Sequence, residues 1–441
     1  MRGKWSIVIL LTMVLASVIL AGCSDQPKTE FDNAEITVLV QDQGNSALGK
    51  QINALLDDSK ALVEKESPGI IVHLVRVPPE QYADKIKELK PDIYWFAPFE
   101  LALPQSAGKL YDLNPLLDNA GLDITQYFPR NVLDMTTVDG KLLGMTLSAY
   151  NITVGYSKSW FDNAGIPYPQ NDWTWEDFES AAVALKSANG GDSSNVYGAG
   201  IPLYSEFVEP IVMGMEGAFL SPDGTQASGY LDGPATVNTV EWLKGLLEQG
   251  VIDKQYNGDV AEIGVKRGMA VTLSPLISSA AQTNPDIGIV ALPSMTGEAQ
   301  VSAPYITAFG INASSVHPDA ALKYIYALTL EDNEVTRQAF RLGISVSSAV
   351  FAAIGDELDP SLTLNYNLLP FAQKRASMVS REYSLAMGQY ENTFSSMIQT
   401  DMEIAPTLTQ IAQGIDSKLA EARIKDEEEA QEAAATQSAG E

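Results

Sequence analysis

The side chains that most often carry chemistry are unevenly supplied in this chain. Carboxylates are abundant, 56 against 28 lysines and arginines, while His73 and His317 are the only histidines and Cys23 the only cysteine. One thiol and two scattered imidazoles leave too few ligands for a zinc site of the usual kind. His73 sits inside the apolar run "IIVHLVRV", the setting of a hydrogen-bonded structural histidine, and His317 precedes a proline in the turn before a helix. No Gly-x-Ser-x-Gly elbow, phosphate-cradling glycine loop or His-Glu-x-x-His pair occurs. The hydrolytic chemistry this composition still permits is a pair of carboxylates facing a glycosidic bond. The alternative for any such pair is a solvated surface.

Charge and hydropathy narrow the classes further. A formal net charge of −28 repels nucleic acid and anionic lipid. Hydrophobic residues make up 45% of the chain, enough for a folded core, and two domains are the natural expectation at this length. Residues 1–22, "MRGKWSIVILLTMVLASVILAG", place Arg2 and Lys4 before an apolar run, the layout of a secretory signal. The run also approaches membrane-spanning length, so an uncleaved anchor is the alternative. Its end, Leu20-Ala21-Gly22-Cys23, resembles the bacterial lipobox, in which cleavage before the cysteine exposes it to lipid. Either reading puts the body of the protein outside the cytoplasmic membrane. Residues 23–35 are polar and carry a proline, as suits a tether, and residues 431–441 read as an acidic flexible tail.

Between these ends, strand-like and helix-like segments alternate. "EITVLVQ", "IIVHLVRV" and "DIYWFA" read as strands. They are separated by "SALGKQINALLDDSKALVEKESPG", with Leu48, Ile52, Leu55 and Leu62 on one face, and by "PEQYADKIKELK". Such alternation requires crossovers and parallel strands, with ligand contacts in loops at their carboxyl ends. "TWEDFESAAVALKSA" begins with a threonine placed to cap a helix and acids in the first turn. "IGIVALP" and "ITAFGINA" are later strand candidates, and from residue 331 onward the pattern is almost wholly helical.

The segment Asp139 to Leu185, "DGKLLGMTLSAYNITVGYSKSWFDNAGIPYPQNDWTWEDFESAAVAL", resembles the signature region of the family 1 extracellular solute-binding proteins, the receptors of ATP-driven sugar importers. The elements that carry the likeness are Tyr156-Ser157-Lys158, Trp160-Phe161, Ala164-Gly165 and Thr174-Trp175-Glu176-Asp177. "PDIYWFAPFELALPQSAGKLYDLNPLL", "VKRGMAVTLSP", "GIVALPS" and "GINASSVHPDAALKYI" extend it, in the family's order, over most of the chain.

The resemblance implies an α/β, two-lobed periplasmic-binding-protein-like fold, each lobe a mainly parallel sheet flanked by helices, with a helical C-terminal region. It places the N-lobe at residues 36–147 plus 270–309 and the C-lobe at 150–265 plus 312–430, with hinges near 148–151, 266–270 and 309–312. It further implies a monomeric, non-catalytic receptor without cofactor or metal. Such a receptor binds a sugar or oligosaccharide between its lobes, is tethered outside the cell membrane by lipid on Cys23, and delivers its ligand to an ABC permease.

Carried over position by position, the ligand-binding candidates are Gln41, Asp42 and Asn45 after the first strand, Trp95 and Phe99 around the third, and Tyr150 and Asn151 at the first crossing. Tyr204, Glu206 and Phe207 follow as a C-lobe aromatic platform, with Tyr305 before the strand leading to the last crossing. Trp175 and Trp242 are read as packing. Leu276 stands where the family often has a tryptophan against the ligand. That departure points away from maltose-type ligands, toward another oligosaccharide or modified sugar, with a non-sugar polar solute as the alternative.

Overall fold

The computed structural model describes residues 33–97, 108–191, 195–297 and 301–438. The leader, Cys23, nearly all of the tether, and Phe99 lie outside them. The strands are β1 (Ala34–Gln41), β2 (Ile70–Val77), β3 (Ile93–Phe96), β4 (Thr137–Val138), β5 (Lys141–Leu142), β6 (Met145–Tyr150), β7 (Ile152–Ser157), β8 (Tyr197–Gly200), β9 (Arg267–Leu273), β10 (Ile287–Ala291) and β11 (Tyr305–Ile311). They form a five-stranded sheet of order β2-β1-β3-β11-β6 and a four-stranded sheet of order β10-β7-β9-β8, with β4 and β5 a separate hairpin.

Each sheet is mainly parallel and holds one reversed strand. In the first sheet it is β11, antiparallel to both β3 and β6; in the second it is β7, antiparallel to both β10 and β9. These are the strands that begin just after the chain has passed from one lobe to the other. A chain arriving from the neighbouring lobe reaches its new sheet at the edge facing that lobe, so its first strand must run away from the junction. The carboxyl ends of the remaining strands therefore point toward it.

Two corrections to the expected layout follow. Residues 267–273 and 287–291 pair with β7 in the second sheet rather than joining the first lobe, and the hinges expected near 266–270 and 309–312 fall inside or at the end of β9 and β11. The chain changes lobe at 150–152 and again between Ala291 and Tyr305. Helix Pro318–Thr329, expected in the C-lobe, packs on helix Ala47–Glu66 and on β6 and β11 of the first sheet.

Each lobe has its own core. The first gathers Val38, Trp95, Leu147, Phe309, Tyr324 and their neighbours; the second gathers Val154, Phe178, Ile211, Leu243, Phe394 and Ile411. Thr174 caps helix Trp175–Asn189 in a reciprocal pair with Asp177, the reason this helix starts where it does. Trp175 and Trp242 meet edge to face at 5.4 Å, as packing residues. The same helix lies so close to β8 that a Cβ on Gly198 would meet the Ala182 carbonyl oxygen at 1.9 Å, a contact only glycine admits. Helices Arg381–Gln399 and Ile404–Ser438 pair along the second lobe. The backbone stays helical past the tail boundary expected at 431, in keeping with the high helix propensity of its Ala, Glu and Gln.

Candidate functional site

Strand direction defines the site. The carboxyl ends of β1, β3 and β6 and the start of β11 share the edge of the first sheet that faces the junction. The carboxyl ends of β8, β9 and β10 and the start of β7 face it from the second. Tyr150 closes β6 and is paired directly with Tyr305, which opens β11, so both half-buried rings stand on one face of the ladder.

The second lobe meets them through the start of helix Ser205–Gly214. The Tyr305 hydroxyl donates to Glu206 Oε2 at 2.8 Å across the junction. Tyr204, one residue before this helix, sets its ring edge-on against Phe207 at 5.5 Å and donates to the Asn257 carbonyl at 3.2 Å. Arg375 lies behind this wall, 2% exposed, its guanidinium 3.8 Å from the Tyr305 ring centroid. It donates to the Ala303 carbonyl at 2.8 Å and the Glu206 carbonyl at 2.9 Å. Burial raises the phenols of Tyr150, Tyr204 and Tyr305 above their ordinary value, with Glu206 and Glu391 adding to the effect at Tyr204. All three stay neutral; the Tyr305 and Tyr204 hydroxyls already donate, to Glu206 and to the Asn257 carbonyl, and keep acceptor capacity.

On the first lobe, Gln41 ends β1 half-buried, and Asp42 and Asn45 are exposed in the loop beyond it. Asp42 Oδ1 accepts from the Gly44 amide and Asn53 Nδ2, both at 2.9 Å, and these bonds hold its carboxyl below the usual range. The loop is thus a formed polar turn at a strand's carboxyl end.

Three candidates leave the site. Trp95 is buried in the first core, stacked on Phe309 with centroids 6.0 Å apart, because alternation turns it to the same face of the sheet as Ile93. Asn151 is fully buried: its Nδ2 donates to Asn365 Oδ1 at 2.7 Å and to the Asn365 carbonyl at 2.9 Å, and its Oδ1 accepts from the Ser302 hydroxyl. With those groups committed, Asn151 ties the crossing together instead of greeting a solute. Phe207 belongs to the second core and supports Tyr204 from below. Phe99 lies outside the described residues. Leu276 is 41% exposed on helix Ser274–Thr283.

Sequence reasoning missed Arg375, Asn365 and Glu391. The Glu391 carboxylate accepts from the Ser205 amide at 2.8 Å and its hydroxyl at 2.5 Å, fixing the first turn of the helix that carries Glu206. All three lie in the helical region after residue 331, where nothing in the local pattern marks one polar residue above another. What the wall offers is flat ring faces, neutral hydroxyls and one exposed carboxylate, the equipment of a reversible site for a polar solute.

The comparisons with known proteins agree with this architecture. Residues 44–335, more than half of the chain, match the family model described as bacterial extracellular solute-binding protein. Among solved structures, the sugar-binding protein MalE from the phytopathogen Xanthomonas citri superposes with a TM-score of 0.75 at 18% identity, covering 89% of this chain and 99% of that one. An ABC substrate-binding protein from Listeria monocytogenes, in complex with cycloalternan, gives 0.71 at 18% identity, covering 88% and 100%. The cyclic alpha-maltosyl-1,6-maltose binding protein from Arthrobacter globiformis gives 0.69 at 18% identity, covering 88% and 99%. Family match and shared two-lobed α/β fold lead to one conclusion: the chain belongs to the bacterial extracellular solute-binding proteins.

Proposed function

We propose that this protein is a lipid-anchored extracellular receptor that binds a sugar or oligosaccharide between its lobes and hands it to an ABC import permease, without catalysis. The observation that carries the reading is the convergence of both sheets' carboxyl ends on Tyr150, Tyr305, Tyr204 and Glu206. Sugar rings present C–H faces that pack on aromatic rings and rims of hydroxyls that exchange hydrogen bonds with phenols and a carboxylate. The structures of sugar-binding proteins superposed above support this choice of solute. A ligand touching both lobes favours the closed form through its differential affinity, and the crossings at 150–152, at 292–297 with 301–304, and before Ala376 absorb the rotation. The lobes extend, on this reading, over 34–150 plus 305–354 and 152–291 plus 376–438, with helix Pro360–Asn367 at the junction, packed on helix Ser274–Thr283 and β10 of the second sheet. A non-sugar polar solute is the second reading, favoured by Leu276 in place of a stacking ring.

A thermal-shift screen of the soluble domain against saccharides and polar non-sugars tests the proposal. A bound solute at 100 times its Kd adds about 2.7 kcal/mol to the folded state. Tyr150→Ala is expected to weaken a hit found this way at least tenfold, about 1.4 kcal/mol, while the free protein still folds. Turnover of the saccharide, rather than saturable binding, would replace the receptor with a hydrolase. The anchor has its own test. Cys23→Ser is expected to release the protein from the membrane fraction into the medium or periplasm; unchanged membrane retention would favour the uncleaved apolar helix.

A further inference from the structure

Behind Glu206 lies a second polar space. A pocket of about 90 Å³ opens between helices Ser205–Gly214 and Arg381–Gln399, lined by Ser205, Glu206, Glu209, Tyr383, Gly388 and Glu391, with Ser377, Ser384 and Met387 completing it. It has room for a substituent and its waters, not for a sugar ring.

Its chemistry is one-sided. Three carboxylates line it, and each is held in place by a donor on one side. Glu391 accepts from Ser205, Glu209 from the Ala376 amide at 2.7 Å, and Glu206 from Tyr305. A carboxylate has about four acceptor positions, so acceptor capacity remains. The Tyr383 hydroxyl, on a residue 3% exposed, has no hydrogen-bond partner among the described residues. A buried hydroxyl left that way forgoes the hydrogen bond it had to water, which marks a position where a partner is missing. Arg375, the nearby cation, is already committed to the Ala303 and Glu206 carbonyls and the Tyr305 ring. Among the described residues no group of three His, Cys, Asp or Glu side chains is placed to hold a metal ion. The lining asks for a positively charged group with several N–H donors.

We propose that this pocket receives a protonated amino group carried by the bound solute, as on an amino sugar or a polyamine. The inference rests on the solute-binding reading above and narrows its ligand class.

The charges around the pocket add a signature. Burial pushes the Glu209 carboxyl up to about 7, against the pull of the Ala376 amide and Arg375. The groups around it are Glu206 on its own helix, Arg375 and the Ala376 amide on the segment before helix Arg381–Gln399, and Tyr383 and Glu391 on that helix. An ammonium group favours ionised Glu209, so binding of an amine that stays protonated throughout, such as spermidine, releases a proton and tightens as pH rises from 6 to 7.5, whereas an amino-sugar ammonium loses its own proton over the same range and offsets the gain. A neutral sugar carries no such linkage.

Titration calorimetry on the soluble domain with glucosamine oligomers, their N-acetylated counterparts and spermidine tests this. The glucosamine oligomers, if they are the ligand class, are expected to bind at least tenfold tighter than their acetylated counterparts at pH 6, where their amines are protonated; spermidine, if it is, binds tighter at pH 7.5 than at 6. Response to the glucosamine oligomers alone assigns an amino sugar, and response to spermidine alone a polyamine. Tyr383→Phe removes an unpartnered buried hydroxyl, so it is expected to leave the free protein folded with an unchanged or raised melting temperature and to weaken the amine several-fold. Gly388→Leu puts a bulky side chain on the pocket's lining, where a Cβ meets nothing within 4 Å, and raises helix propensity; it is expected to fold and to abolish the amine preference. Equal binding of amine and acetylated probes, or a preference surviving Gly388→Leu, overturns the pocket assignment and leaves the receptor reading standing. So does a neutral solute that binds while every amine is silent. Silence across the whole solute panel sinks both.

Discussion

Asn365→Ala is expected to lower the stability of the free protein by about 3–5 kcal/mol, by leaving several buried polar groups unpaired at once. Asn365 is 5% exposed, and its Nδ2 donates to the Ala149 carbonyl at 3.1 Å. Its Oδ1 accepts from the Ser274 hydroxyl at 2.6 Å and from Asn151 Nδ2 at 2.7 Å. The Ser274 amide in turn donates to the Asn151 carbonyl at 2.8 Å. One amide side chain thus joins the end of β6, the start of β7, the end of β9 and helix Pro360–Asn367. Alanine removes both its donor and its acceptor, while Ala149, Ser274 and Asn151 stay buried. Urea unfolding followed by tryptophan fluorescence and far-UV circular dichroism checks the size and whether the lobes separate in the transition. A loss under 1 kcal/mol would mean that water replaces the amide at no cost, and the crossing would then not depend on this network.

That network also explains what the sequence conceals. The strands were legible because apolar, β-branched runs such as "EITVLVQ" and "IGIVALP" demand burial on a sheet. The start of helix Trp175–Asn189 was legible because Thr174 and Asp177 cap it within four residues. Partnership is not local. The apolar stretch in "VKRGMAVTLSP" says nothing about which sheet receives it, and the expected lobe boundaries failed at that step. Trp95 sits in "IYWF", a strand buried on both sides, where no polar alternation tells which ring faces a core and which a cleft. A lone asparagine between two apolar strands reads as a ligand group until its partner is known, and the partner of Asn151 is 214 residues away. The same distance problem hides Arg375, which acts on a carbonyl 72 residues upstream.

Arg375→Ala is expected to be as damaging, about 3–5 kcal/mol, and to weaken solute binding by about a hundredfold or more, since a buried and a partly buried carbonyl lose charge-assisted donors together. The guanidinium bridges Ala303, in the segment that returns the chain to the first sheet, and Glu206, on the second lobe's helix. Its face supports the Tyr305 ring that Tyr150 stands beside. Arg375→Lys separates charge from shape. An ammonium group keeps the charge near Glu209 but is a point donor without the planar fork, so it can serve one carbonyl well and cannot stack flat on the ring. The lysine variant is therefore expected to recover part of the stability lost by alanine while solute affinity stays at least tenfold down, measured by calorimetry beside urea unfolding. Full recovery of affinity in the lysine variant would show that charge alone sustains the wall. The alanine variant makes a further demand on the acidic pocket. Arg375 lowers the Glu209 pKa, so removing it moves that carboxyl further up, and any amine binding coupled to Glu209 must shift to higher pH with it.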